Sequence, residues 1–158
     1  MKKLCAPLLL AALLCVFAAC GGKGDTSYVP TEADFTLTLQ VEEKEYAEGD
    51  TVVAVAVLKN NSGKDLPVAY SGGGLIGIYI NKDGADPAFI GTGERSEEVF
   101  PAGGEARRET QTEVNGNIAA NQGITSYEPG GYTVTALAVF ECNGVTISLK
   151  KEAHVTLV

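Results

Sequence analysis

The chain has 158 residues, 45% of them apolar and 20% charged, with 12 basic side chains against 20 acidic ones and a net charge of −8. That length suits one domain with a tail and excludes two sizeable cores. The acid excess argues against nucleic acid or anionic headgroups as partners, because phosphate binding needs concentrated Lys and Arg.

The N-terminus reads as an export segment. Met1-Lys2-Lys3 is a basic start, Leu4 to Val16 is an apolar run, and the small residues Ala18-Ala19 follow. Those are the three parts of a secretory signal over residues 1–19, too short for a spanning helix. No stretch of twenty apolar residues follows it, so no internal membrane helix is expected. Phe17-Ala18-Ala19-Cys20-Gly21 resembles a bacterial lipobox, in which the cysteine receives a diacylglyceryl thioether and becomes the first residue. Phe17 stands where Leu is usual; the alternative is an ordinary signal with a chance cysteine at its cleavage site. On the lipobox reading the partner at Cys20 is the membrane, reached through a lipid anchor worth about 0.8 kcal/mol per buried methylene. Residues 20–34 then form a lipidated cysteine and a flexible tether, spanning about 20 Å as a Gly-rich coil.

Cysteine use narrows the chemistry further. Cys5 and Cys15 would leave with the signal and Cys20 would be lipidated, so only Cys142 remains in the body of the domain. An exported domain with one thiol has no internal disulfide, and its core must suffice alone. Cys142 is expected as a small buried hydrophobe, with a reactive thiol the alternative.

Residues 35–158 read as strands. Phe35 to Val41 alternates strictly, with its apolar side chains at odd positions. An acidic turn over Lys44 to Asp50 precedes Thr51 to Leu58, whose valines and alanines fill both faces of an interior strand. Asn60 to Asp65 consists of turn residues, after which Leu66 to Tyr70 and Leu75 to Asn81 are extended. Lys82-Asp83-Gly84 turns the chain, with a return at Ala88 to Gly91. Ala106 to Val114 is polar but strand-compatible, as an edge strand is. No segment shows a 3.6-residue apolar period, so helix should be minor.

The C-terminal hairpin is the best-specified element. Tyr132 to Cys142 and Val145 to Val158 flank Asn143-Gly144, the strongest two-residue hairpin signal. That turn pairs Cys142 with Val145, Phe140 with Ile147, Ala138 with Leu149 and Val134 with Ala153. The pairing places the apolar residues of both strands on one face. Lys151 is the discordant residue on that face, pointing to a bulge or an open rim near Lys150-Lys151.

About seven short strands separated by turn signals predict an all-β fold, a single antiparallel immunoglobulin-like β-sandwich. Glu128-Pro129-Gly130-Gly131-Tyr132 resembles the tyrosine corner of such domains, although the Trp and inter-sheet disulfide of antibody domains are absent. A more particular resemblance runs over about residues 50–141. Val53 to Asn61 with Ser62-Gly63-Lys64, Tyr70 to Gly73, Ile78-Tyr79-Ile80 ending in Asp83-Gly84, Phe100 to Glu105 and Pro129 to Val134 are similar to the Bacillus intracellular proteinase inhibitor (BsuPI) family. Where that family has a Trp-rich segment this chain reads Pro87 to Gly91. The resemblance implies an Ig-like fold first and proteinase inhibition second.

Catalytic constellations are thin. His154 is the only histidine, which excludes a metal site built from several imidazoles. The hairpin register sets it opposite Thr133 on the face away from the core, where a solvated strand histidine is expected. Gly72 to Gly77 satisfies G-x-G-x-x-G but opens a strand and lacks a βαβ frame. Asn81 to Asp86 clusters oxygen ligands that could hold Ca²⁺, yet it fails EF-hand spacing and an Asp-Gly turn accounts for it. No metal, cofactor or enzymatic activity is expected.

The composite expectation is a monomeric, non-catalytic lipoprotein, exported and lipid-anchored at the extracytoplasmic side of the cell envelope. It would bind an unknown protein or glycan, or support a larger complex; the alternative is a surface-tethered proteinase inhibitor. The tether should leave the sandwich at the end holding Asn60 to Asp65 and Asn143-Gly144. The opposite end, with Lys44 to Asp50 and the long loop from Asn115 to Gly130, would then point outward. Long loops on rigid scaffolds often bind. Tyr46, Gln122 and Tyr127 are the candidate binding residues there, with the tyrosines offering contact area and a polar tip. The alternative for both tyrosines is to plug the end of the sandwich.

Overall fold

Strict alternation needs a second sheet to bury its apolar face, and this chain supplies two. The structure, a computed structural model, describes residues 24–42, 44–84, 93–114 and 128–158. Among the described residues nine strands, against the seven or so expected, follow a 3-10 turn at Glu32–Asp34: β1 (Phe35–Val41), β2 (Glu45–Tyr46), β3 (Thr51–Asn60), β4 (Leu66–Tyr70), β5 (Gly77–Lys82), β6 (Ser96–Phe100), β7 (Glu105–Glu113), β8 (Gly130–Cys142) and β9 (Val145–Leu157). One sheet runs β1-β3-β7; the other runs β2-β9-β8-β4-β6, with β5 also on β8. All pairings are antiparallel except β2 against β9. The expected immunoglobulin-like sandwich is the fold.

The strand order shows how the two sheets are joined. The chain leaves β1 in the first sheet and crosses to β2 in the second, where Glu45 and Tyr46 pair in parallel with Thr156 and Leu157. β3 is the central strand of its sheet and β7 an edge, as their apolar and polar compositions require. β4 pairs with β8 only through Val68 and Ala69, then continues against β6. Gly72, Gly73 and Gly74 have φ of 85°, 84° and 157°, and carry the chain across to β5. A strand follows them instead of a helix, so the G-x-G-x-x-G spacing here belongs to a turn.

β6 was not expected, and the return foreseen at Ala88 to Gly91 lies outside the described residues. Ser96-Glu97-Glu98-Val99-Phe100 has one buried residue, Phe100, because it pairs on one side only. An edge strand need not alternate, so its pattern is silent.

The hairpin register is the expected one throughout, from Gly130 opposite Leu157 to Cys142 opposite Val145. No bulge interrupts it at Lys150-Lys151, so the open rim is the correct alternative. Lys151 pairs with the buried Ala136 and so belongs to the core-side row, yet it is exposed because β9 is an edge there. Arg108 on β7 is its counterpart, opposite the buried Ala56 and likewise exposed. These inward-row charges on β7 and β9 resist pairing of those two edges with another chain.

The core has two halves. The first holds Phe35, Leu58, Leu66, Phe100, Phe140 and Cys142; the second holds Tyr46, Val52, Ile80, Val114, Tyr132 and Leu157. Leu39 and Ile78 pack against both. In the first half Phe35 meets Phe140 edge-on at 5.1 Å and stacks with Phe100 at 6.3 Å.

Candidate functional site

Long hairpin strands leave two ends where backbone polar groups have no ladder partners, and something must satisfy them. At the end holding β2, tyrosines and turns do so. The acidic run Lys44 to Asp50 folds tightly: Ala47 N donates to Asp50 Oδ2 at 2.6 Å, and Gly49 takes φ 93°. Gly49 N donates to Val114 O at 2.8 Å and Val114 N to Asp50 O at 2.7 Å, which ties this turn to the end of β7. The Lys44 to Asp50 turn and the points where the 115–127 segment leaves and returns therefore share one end, as expected.

Tyr46 is not on that surface. It is 2% exposed and packs with Val52, Val114 and Leu157, while its carbonyl accepts from Val158 N at 2.9 Å. Pairing of β2 with β9 turns the side chain inward, so Tyr46 is a plug and its assignment as a binding residue is corrected. Gln122 and Tyr127 lie outside the described residues, as does Cys20. Tyr132 is the tyrosine corner that its neighbours suggested: its hydroxyl donates to Glu128 O at 2.9 Å.

The outer face beside this end carries a short polar chain. Thr133 Oγ1 donates to Asp83 Oδ1 at 2.7 Å, and His154 Nδ1 lies 3.2 Å from the same hydroxyl. The Nδ1–H tautomer of His154 would complete this chain by donating to the hydroxyl oxygen while the hydroxyl proton goes to Asp83. His154 sits opposite Thr133 as expected, with its side chain 77% exposed. Lys82 pairs with Glu128, and that carboxylate holds the ammonium above the usual lysine range. Among Asn81 to Asp86 the described residues serve structure: Asn81 is buried in β5, and Asp83 accepts from Thr133. Among the described residues no three His, Cys, Asp or Glu side chains come together as metal ligands.

The opposite end is closed by amides. Asn60, fully buried, donates from Nδ2 to Lys64 O, Phe100 O and Pro101 O at 2.8, 3.0 and 3.0 Å. Its Oδ1 accepts from Ser62 N and Ser62 Oγ at 3.0 and 2.7 Å. One side chain thus gathers the 60–65 turn and the β6–β7 turn.

Residues 24–34, expected as part of a flexible tether, are instead fastened to this end. Asn143 Nδ2 donates to Asp25 O at 2.7 Å and to Tyr28 O at 2.8 Å. Asp25 N donates to Asp65 O at 2.6 Å, and the Asp25 carboxylate meets Lys64 Nζ at 3.1 Å. Hydrogen bonds from Ser27 first, then Lys64, lower the Asp25 carboxyl to about 2. Tyr28 Oη donates to Asp34 Oδ1 at 2.8 Å, and Asp34 Oδ2 accepts from Thr31 N at 2.7 Å. Gly24 is buried so closely that an added Cβ would lie 2.6 Å from the ring of Pro67. Beneath this strap Cys142 is fully buried; burial, then the nearby Asp34 carboxylate, pushes its thiol up to about 11.

Sequence reasoning assigned Asn143 to its turn alone. Its φ of 49° meets that expectation, and its amide serves a second purpose. The Thr31-Glu32-Ala33-Asp34 spacing, a capping pattern, was the available signal for order before β1.

No family profile matches the chain, and no curated protein does. Solved structures share its outline at a distance. A β-glucosidase from Listeria innocua in complex with glucose is 16% identical, with a TM-score of 0.45 over 78% of this chain and 16% of that one. The alkylpurine DNA glycosylase AlkC of Pseudomonas fluorescens is 16% identical, with a TM-score of 0.41 over 79% and 30%. The CARDB domain of a Pyrococcus furiosus protein, in complex with di-metal ions, is 14% identical, with a TM-score of 0.44 over 79% and 93%. The chain thus spans about a sixth of the glucosidase. The class reached is an immunoglobulin-like β-sandwich, and it rests on the strand order and the tyrosine corner.

Proposed function

We propose that the protein is a non-catalytic lipoprotein of the bacterial cell envelope, an Ig-like binding or accessory module anchored through Cys20 on the outer side of the membrane. The observation that supports this reading is the arrangement of the two ends. The strap fastens Gly24, four positions after Cys20, to one end of the sandwich, and the 115–127 segment leaves and returns at the other. A scaffold held at one end and carrying its longest connection at the other suits display of a contact surface to a protein or glycan. The module acts as a monomer, a reading that the inward-row charges Arg108 and Lys151 on the β7 and β9 edges support.

Mass spectrometry of the N-terminal peptide from the membrane fraction tests the anchor. A diacylglyceryl-modified Cys20 is expected, with release of the Cys20→Ala variant from that fraction. An unmodified N-terminus on a soluble wild-type protein would overturn it. The same preparation assayed against a panel of serine proteinases tests the display role. Stoichiometric inhibition of one of them would replace that role with the inhibition implied by the family resemblance.

A further inference from the structure

A lipid anchor positions a domain only as well as the chain between them allows. From Cys20 to Phe35 a free tether could extend to about 50 Å, at roughly 3.4 Å per residue. The strap removes most of that reach. With Gly24 wedged against Pro67, and Asp25 held by Asp65 and Asn143, only Gly21, Gly22 and Lys23 separate Cys20 from the folded body. Four Cα steps span at most about 14 Å. β8 and β9 have 13 residues each, so the end carrying β2 stands about 40 Å further away.

We propose that the end of the sandwich formed by the 60–65 turn, the 101–104 turn and Asn143-Gly144 lies against the phospholipid headgroups, so that the domain stands upright on the membrane. This rests on lipidation of Cys20. The contact is imposed by the tether and not by charge. Lys64 is neutralised by Asp25 and Lys59 by Glu105, so the described residues give this end no surplus of cations for anionic lipid. Apposition should therefore resist salt, unlike a polybasic contact. Asn143 governs it: both strap carbonyls, of Asp25 and Tyr28, hang on its amide. Asn143→Gly keeps the positive φ that the turn needs while deleting those bonds.

The test uses the full chain, lipidated and reconstituted in phosphatidylcholine vesicles containing a headgroup spin-labelled lipid. A fluorophore is placed through Ser62→Cys at the strap end or Glu48→Cys at the opposite end; the buried Cys142 gives little background. Quenching at position 62 should exceed that at 48 severalfold, persist at high salt, and fall when a flexible Gly-Ser segment is inserted after Gly22. Asn143→Gly should lower it too, while far-ultraviolet dichroism stays unchanged. Equal quenching at the two positions in a protein shown by mass to be lipidated would overturn the orientation and leave the anchor standing. Quenching at 62 that ignores the insertion would overturn the tether as its cause. A mass without lipid would overturn anchor and orientation together.

Discussion

The two ends of the sandwich solve one problem with different chemistry. At the strap end, side-chain amides do the work: Nδ2 of the buried Asn60 is shared among three carbonyls and that of the half-buried Asn143 serves two. At the other end, ring systems do it, with Tyr46 filling the space between the sheets and the Tyr132 hydroxyl closing its corner. An amide donates twice and accepts as well, so it can join several loops at a point. A tyrosine joins one carbonyl but fills volume. The amide end is thereby drawn tight around the incoming chain, whereas at the tyrosine end the rings seal the core and the Lys44 to Asp50 turn is held by backbone bonds to Val114.

Removing the central group of each end should show the contrast most strongly. Asn60→Ala removes the amide shared by the Lys64, Phe100 and Pro101 carbonyls, of which Pro101 O keeps Gly104 N and Lys64 O keeps Ser62 Oγ, and should cost about 2 kcal/mol in urea unfolding. Loss of under about 0.5 kcal/mol would mean that the turns hold without it.

Titration should reveal the next difference. The Cys142 thiol stays protonated in the fold to about 11, against 9.0 when free. An unfolded chain therefore loses its proton first, and stability should fall as pH rises from 9 to 11, on the order of 2 kcal/mol in all. Cys142→Ala should flatten that slope; a slope that survives the substitution would assign it elsewhere.

Tyr132→Phe removes the hydroxyl's bond to Glu128 O at the other end and should cost about 1 kcal/mol, with the sheets intact by dichroism.

The smallest effect concerns the strap. Asp25 has a folded pKa of about 2, below its free value of 3.8, so its ion pair with Lys64 is complete above pH 4 and is lost as pH falls through 2. Amide exchange of residues 25–28 should quicken over that window while β8 stays protected. Concerted exchange of both would show that the strap and sandwich open as one unit.

What was legible in the sequence followed from short-range rules. Alternation marked β1, Asn143-Gly144 set the hairpin, and once the turn was placed the two-residue period put every side chain of β8 and β9 on its face, His154 and Cys142 included. Glu128 to Tyr132 likewise announced its corner, because the hydroxyl reaches back only four residues. What sequence left open depended on neighbours far along the chain. β6 exists because β4 offers it an edge, and Tyr46 is buried because β2 pairs with Leu157, 111 positions later. The strap is ordered because Asn143 holds Asp25 across 118 positions. A Gly-rich run reads as flexible when only its own propensities count, and it is the folded sheet end that supplies the donors which fasten it.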